Sequence, residues 1–351
     1  MEKKTTYHEQ KDVENILRLR EVLSTLPPFC RDYFRAIDTT TTTKTRISYA
    51  YDIRIFFQFL LDENPAFKDY KMTDFTVDVL DQIKALDLEE YQEYLKVYQA
   101  GDKTETNGER GLKRKISALR SFYAYYYRRE MIETNPTVLI DVPKIHDKSI
   151  IRLDTDEVAL LLDYIEHCGD QLTGQKRVYY EKNKERDLAI VTLLLGTGIR
   201  VSECVGLDIE DVDFKNNGIK VTRKGGNEMV VYFGPEVEKA LKRYLVVREN
   251  IIPLEGHEHA LFYSAQRRRI GVQAIENLVK KYAQQITTTK KITPHKLRST
   301  YGTALYQETG DIYLVADVLG HKDVNTTKKH YAAIDDARRR QAAKAVKLRE
   351  D

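Results

Sequence analysis

Cysteine is scarce in this chain. Among its 351 residues only Cys30, Cys168 and Cys204 occur, far apart, odd in number and without a CxxC pair. That argues against a disulfide framework or a thiolate zinc site and fits a reducing compartment. Long apolar runs are missing too: none approaches the roughly 20 residues that a membrane span requires. The N-terminus, MEKKTTYHEQKDVEN, is polar and carries no signal-peptide pattern. Excess charge of one sign is also lacking. A formal net charge of +3 says little about partners. No internal repeat or low-complexity tract stands out. These absences lead to the expectation of a cytoplasmic protein without a membrane span.

What is present is enough for two domains. A chain of 351 residues that is 42% hydrophobic exceeds one average domain. The first 140 residues read as helices. ENILRLREVLSTLPP carries apolar residues at helical spacing and stops at Pro27-Pro28. TRISYAYDIRIFFQFLLDEN does the same with an aromatic face, LEEYQEYLKVYQAG ends at a glycine, and GERGLKRKISALRSFYAYYYRREM forms a later helix. Two prolines and a lost helical period then mark a linker, placed at 141–152. From 153 to 351 the pattern is mixed. TDEVALLLDYIEHCG predicts a helix capped by Thr155 or Asp156, and RDLAIVTLLLGTG a buried helix ended by glycine. GIKVTRKGGNEMVVYF alternates around Gly-Gly as a β-hairpin does. The expected fold is mostly α, with a helical first domain and an α+β second domain holding a small hairpin or sheet.

Charge is uneven within the first domain. From Asp52 to Glu93 acids outnumber bases eleven to four. From Arg110 to Arg129 there are seven bases and no acid: Arg110, Lys113, Arg114, Lys115, Arg120, Arg128 and Arg129. A basic stripe interleaved with aromatics is the footprint of phosphate-backbone contact, and a solvated face over an aromatic core is the plainer alternative.

Four stretches of the second domain carry unusual chemistry. In GTGIRVSE, Arg200 follows a glycine turn and Glu203 lies one helical turn on. In TRKGGNE, Lys224 sits at the hairpin tip. In TPHKLRSTYGT, Thr293 and Pro294 suit a helix start, and His295 and Arg298 share a face of the first turn, where an anion is welcome. In LGHKDVNTTKKHYAAIDD, Gly320 stops a helix, His321 follows, Asn325 suits a cap, and Tyr331 lies beyond. Taken singly each has a plain structural explanation; Tyr331 is one tyrosine among 23. Together they are what phosphoryl transfer to a tyrosine requires without a metal. Guanidiniums give paired, charge-assisted bonds to the non-bridging oxygens. A phenol with a pKa of about 10 needs a base such as histidine as it attacks. A lysine can return a proton to the leaving oxygen. No carboxylate cluster of the two-metal kind is present.

In this order and spacing the four stretches resemble the tyrosine recombinases of the phage integrase family. GTGIRVSE, VTRKGGNE, TPHKLRSTYGT and LGHKDVNTTKKHY match its box I, its hairpin lysine and its box II regions. The resemblance covers nearly the whole chain and within the family points to the Xer type. NKERDLAIVTLLLGTGIRVSE, with the extra GDQLTGQKRVYYEKNK before it, looks like the single-recombinase streptococcal and lactococcal branch. The resemblance implies a SAM-like core-binding domain that clasps DNA, followed by a catalytic domain. It implies Tyr331 as the nucleophile of a 3′-phosphotyrosyl link, Arg200 and Arg298 on the scissile phosphate, and Lys224 as general acid. It implies His295 as base or phosphate orienter, His321 as a transition-state stabiliser, and Glu203 as a support for Arg200. One departure is visible: the residue after Arg298 is often histidine in the family and here is Ser299. No cofactor is implied, because the phosphotyrosyl bond keeps the energy of the broken phosphodiester. The expected partner is a double-stranded DNA recombination site. A homotetramer on two sites, association with the nucleoid, and a C-terminal helix that docks on a neighbouring protomer complete the expectation. The expected function is site-specific recombination in chromosome dimer resolution, with integration or excision of a mobile element as the alternative. The six catalytic residues argue against a non-catalytic DNA-binding relative, and the C-terminal docking helix against a type IB topoisomerase.

Overall fold

The computed structural model describes residues 6–146, 150–223, 226–321, 323–325 and 327. The chain divides into two compact units, Met1–Lys148 and Ser149–Asp351.

The first unit contains α1 (Tyr7–Ser24), α2 (Cys30–Ala36), α3 (Thr43–Glu63), α4 (Val79–Gln82) and α5 (Ala85–Tyr94). Strands β1 (Val97–Ala100) and β2 (Lys103–Thr106) come next, then α6 (Glu109–Arg128). The helices start where polar caps precede an apolar period. Thr6 and Glu9 close a capping box on α1, and the Thr42 hydroxyl caps α3. The aromatic faces of α3 and α6 form the core: Phe56, Phe57, Phe122, Tyr123 and Tyr126 are all fully buried. Each such ring contributes about 1.5–3 kcal/mol on burial. Buried tyrosine hydroxyls find partners: Tyr126 donates to the Phe29 carbonyl at 2.9 Å, and Tyr33 of α2 to the Ser121 hydroxyl at 2.9 Å.

The all-helical expectation for this unit fails at one place. LKVYQAG does not finish a helix. Tyr94 ends α5, and Val97 to Thr106 form an antiparallel hairpin in which Ala100 pairs with Lys103. Gly101 adopts φ 61° in the turn, a conformation that glycine reaches without strain.

The second unit contains α7 (Thr155–His167), α8 (Gly174–Thr197), α9 (Val201–Gly206), α10 (Pro235–Glu249), α11 (Val272–Ile286), α12 (Pro294–Thr309) and α13 (Ile312–Leu319). Strands β3 (Val212–Asp213), β4 (Gly218–Thr222) and β5 (Glu228–Tyr232) form one antiparallel sheet in that order. The β4–β5 pairing is the expected hairpin, with Thr222 opposite Glu228. Asp154, one residue before the two expected caps, forms the capping box of α7 with Glu157. Helix α8 is the centre of the unit. Leu188 to Leu194 are buried without a break, as expected of a helix covered on all sides. It begins well before the apolar run, because the extra stretch GQKRVYYEKNK is its first half. That half is fastened to α7: Tyr180 is buried and donates to the Glu166 carbonyl at 2.6 Å. No helix among the described residues is long and apolar enough to cross a membrane.

Candidate active site

Two helix ends build the site. Helix α8 stops at Gly198 with φ 63°, and α13 stops at Gly320 with φ 62°. Both are left-handed caps that favour glycine. The backbone after α8 turns into Arg200, which precedes α9. The Glu203 carboxylate binds Arg200 twice: Oε2 accepts the backbone N–H at 2.8 Å and Oε1 accepts Nη1 at 2.7 Å. Glu203 is 5% exposed, so this charge-assisted pair fixes the guanidinium from its protein side. Beside it, burial and then the Glu203 charge push the Cys204 thiol up to about 12, which leaves it an inert core residue.

Arg298 reaches the same place from α12. Its Nη1 donates to the Gly198 carbonyl at 2.5 Å and its Nη2 to the Leu319 carbonyl. Arg200 Nη2 donates to the next carbonyl along, Gly320, at 3.3 Å. Two arginines far apart in sequence are therefore held on adjacent peptide units at the end of α13. The end of a helix is its negative pole, so it steadies a cluster of cations that would otherwise repel. A guanidinium carries five N–H donors in a fork. It can be fixed on one side by protein acceptors and present another to a phosphate.

His321 follows directly. Its backbone N–H donates to the Ala316 carbonyl at 2.9 Å, and its Nδ1 lies 2.7 Å from the hydroxyl of fully buried Thr327. That hydrogen bond orients the ring and leaves Nε2 as the nitrogen on its far side. Asp323, not the expected Asn325, caps the turn after it, accepting the Asn325 N–H at 2.9 Å. Thr293 and Pro294 start α12 as expected. His295 is exposed on the first turn of α12, three residues before buried Arg298. Lys224 and Tyr331 lie outside the described residues.

One residue that the sequence reading passed over belongs to this group. Arg223 donates from Nη2 to the Val318 carbonyl at 2.6 Å and from Nη1 to the Asp317 carbonyl at 3.3 Å. Burial is the main cause that lowers its pKa; Glu203 opposes the shift and Arg200 adds to it. Its place directly before Lys224 was the available signal.

The basic stripe of α6 divides once its surroundings are known. Arg110, Lys113 and Arg114 are exposed. Lys115 is not: its side chain is 7% exposed, with Nζ 3.0 Å from Asn107 Oδ1 and 3.7 Å from Asp52 Oδ1. Asp52 is itself buried and also pairs with Arg114. Arg120 is turned to the backbone and donates to the Thr137 carbonyl at 3.0 Å and the Ile140 carbonyl at 2.6 Å. The expectation of a continuous phosphate-facing stripe is corrected accordingly. Lys115 faces a buried carboxylate and Arg120 fastens the following loop, because successive helix positions point about 100° apart and these two point inward.

Comparison with known proteins agrees with this geometry. The model of the phage integrase family matches residues 152–338. The chain belongs to that family. It is a tyrosine recombinase, an enzyme of site-specific DNA strand breakage and rejoining, and its relatives include Xer recombinases. It is 31% identical to tyrosine recombinase XerS of Lactococcus lactis subsp. cremoris over 92% of this chain and 96% of that protein. It is 32% identical to tyrosine recombinase XerC of Caldanaerobacter subterraneus subsp. tengcongensis over 90% of this chain and 86% of that protein. Among solved structures, the XerH site-specific recombinase bound to a palindromic difH substrate shares the fold with a TM-score of 0.62 at 21% identity, covering 86% of this chain and 78% of that one. The Tn1549 transposon integrase in complex with circular intermediate DNA shares it at 0.61 and 22% identity, covering 89% and 98%.

Proposed function

We propose that Tyr331 attacks the scissile phosphate of a DNA recombination site, forming a 3′-phosphotyrosyl link and releasing a 5′-hydroxyl. Arg200 and Arg298 clamp the non-bridging oxygens, and Glu203 holds Arg200 in place. Lys224 gives its proton to the leaving 5′-oxygen. His295 accepts the tyrosine proton or orients the phosphate, and His321 stabilises the transition state. The observation that carries this reading is the meeting of Arg200 and Arg298 on the carbonyls of Leu319 and Gly320, immediately before His321. Charge preorganised where the pentavalent phosphate gains negative charge is the largest catalytic term available to such a site. A nicked suicide duplex, whose 5′-hydroxyl fragment diffuses away, tests it by trapping the covalent complex.

The same charge makes a second expectation. Cleavage should proceed unchanged in EDTA, since the guanidiniums and lysine supply what a metal would. Loss of cleavage in the chelator, with recovery in magnesium, would mean that the site is misread.

Rejoining two duplexes, one strand pair at a time, calls for a homotetramer on two sites. The segment DDARRRQAAKAVKL, outside the described residues, is the candidate for docking between protomers. In the cell we infer chromosome dimer resolution, in the cytoplasm at the nucleoid. The Xer relatives at 31% and 32% identity favour this over integration of a mobile element, since the likeness to a transposon integrase at 22% speaks to fold alone. A gene flanked by excision or relaxase genes would reverse that preference.

The first unit is read as the DNA-clasping domain, with Arg110, Lys113 and Arg114 on the duplex backbone. Arg110→Gln with Lys113→Gln should weaken specific and unrelated DNA alike and flatten the log–log salt slope by roughly two units. Lys115→Ala should instead leave the slope in place and lower unfolding stability by about 1–3 kcal/mol, since Asp52 keeps Arg114 while Asn107 Oδ1 loses its donor. Filter binding across a salt series and urea unfolding separate the two; a flattened slope in Lys115→Ala would contradict the assignment.

A further inference from the structure

Arg223 is placed as though it belonged to two machines at once. Its backbone closes the β4–β5 hairpin: the N–H donates to the Asn227 carbonyl at 2.7 Å, and its carbonyl accepts from Gly226 at 3.0 Å. Its guanidinium grips α13 through the Asp317 and Val318 carbonyls. We propose that Arg223 is a positioning residue that ties the lysine-bearing hairpin to the end of α13, and that it acts on cleavage through Lys224. The inference rests on the reading of Lys224 as general acid.

Three observations support it. The first is the run of acceptors at the end of α13. The carbonyls of Asp317 and Val318 take Arg223, Leu319 takes Arg298, and Gly320 takes Arg200. Three guanidiniums thus share one helix terminus, so the hairpin and the two phosphate ligands have a common reference. The second is Gly320. A Cβ there would lie 1.8 Å from Arg223 Nη1 and 2.3 Å from Cζ, so the guanidinium occupies the space that only glycine leaves. The third is that Arg223 Nε is buried with no hydrogen-bond partner among the described residues. A donor left in that state is costly. It is tolerated here together with the grip of the two Nη groups on the helix, which holds the side chain against α13.

The chemical need is geometric. A general acid acts only within hydrogen-bond reach of the oxygen it protonates. A displacement of about 1 Å in such a group lowers the rate on the order of 100-fold. Arg223 fixes the chain at the residue directly before Lys224.

The test compares two suicide substrates in single turnover with the full-length chain. In the first the leaving atom is the normal 5′-oxygen: the phenolate bonds to phosphorus, the phosphorus–oxygen bond breaks, and the oxygen takes the Lys224 proton. In the second a 5′-bridging sulfur replaces that oxygen. The phosphorus–sulfur bond breaks and the thiolate departs without a proton. Arg223→Ala should cleave the oxygen substrate on the order of 10–100-fold more slowly than wild type and the sulfur substrate at close to the wild-type rate. Arg223→Lys, which keeps charge but loses the two-carbonyl grip, should behave the same way and carries the test if the alanine variant does not fold. Arg223 variants slow on both substrates would show a role in phosphate binding or in folding and overturn the proposal, as would variants as fast as wild type on oxygen. Lys224→Ala is the reference. If it is rescued by sulfur and the Arg223 variants are not, the anchoring inference alone falls. If Lys224→Ala is itself not rescued, the general-acid reading falls and takes this inference with it.

Discussion

Tyr331→Phe is expected to bind its DNA site as tightly as the wild-type chain and to form no covalent complex. The substitution removes one oxygen, the one proposed as the nucleophile. The ring that remains should contribute little to phosphate contact, which in the proposed reading falls to Arg200 and Arg298. The thiol beside Glu203, Cys204, does not replace the lost bond-forming atom, because it is buried and held protonated. Removal of the catalytic nucleophile lowers turnover by about 10⁶-fold in a serine protease. Gel shift with the duplex should therefore be unchanged while the denaturing-gel adduct disappears. Weaker binding with a residual adduct would assign Tyr331 to DNA contact and leave the nucleophile elsewhere.

Arg298→Ala is expected to fail in two ways at once. The loss of a preorganised donor on the transition state should slow cleavage by about 10²–10³-fold. The Gly198 and Leu319 carbonyls would also lose the buried donor that now joins the ends of α8 and α13. A buried acceptor left without its partner costs about 1–3 kcal/mol, so unfolding should shift to lower denaturant by a corresponding amount. Arg298→Lys keeps the charge. A single ammonium does not span two carbonyls and a phosphate, so it should recover stability only in part and cleavage hardly at all. Single-turnover cleavage together with urea unfolding reads both effects. A variant with full stability and a large cleavage defect would mean that the two carbonyl bonds are incidental.

Local chemistry made much of this molecule legible from its sequence. The glycine stops of α8 and α13, the Thr293-Pro294 start of α12 and the pairing of Arg200 with Glu203 are all set within a few residues. The hairpin β4–β5 followed from alternation around Gly-Gly. What escaped depends on partners remote in sequence. Lys115 reads as one more base in a stripe until Asp52 from α3 is brought beneath it. Arg120 reads the same way until the chain after α6 folds back and offers the carbonyls of Thr137 and Ile140. Arg223 does not stand out in the sequence because its acceptors lie on α13, in another part of the chain. The hairpin β1–β2 was missed for a different reason: four-residue strands beside an amphipathic helix leave too short an alternation to override the helical period. The roles of Lys224 and Tyr331 came from the family resemblance of their motifs, not from any local pattern.

The most direct measurement of the central claim is to digest the trapped covalent complex and identify by mass spectrometry the peptide that carries the nucleotide. The account predicts a single phosphotyrosyl adduct on Tyr331, joined to a DNA 3′ end. An adduct on any of the other tyrosines, or a linkage to a 5′ end, would contradict it.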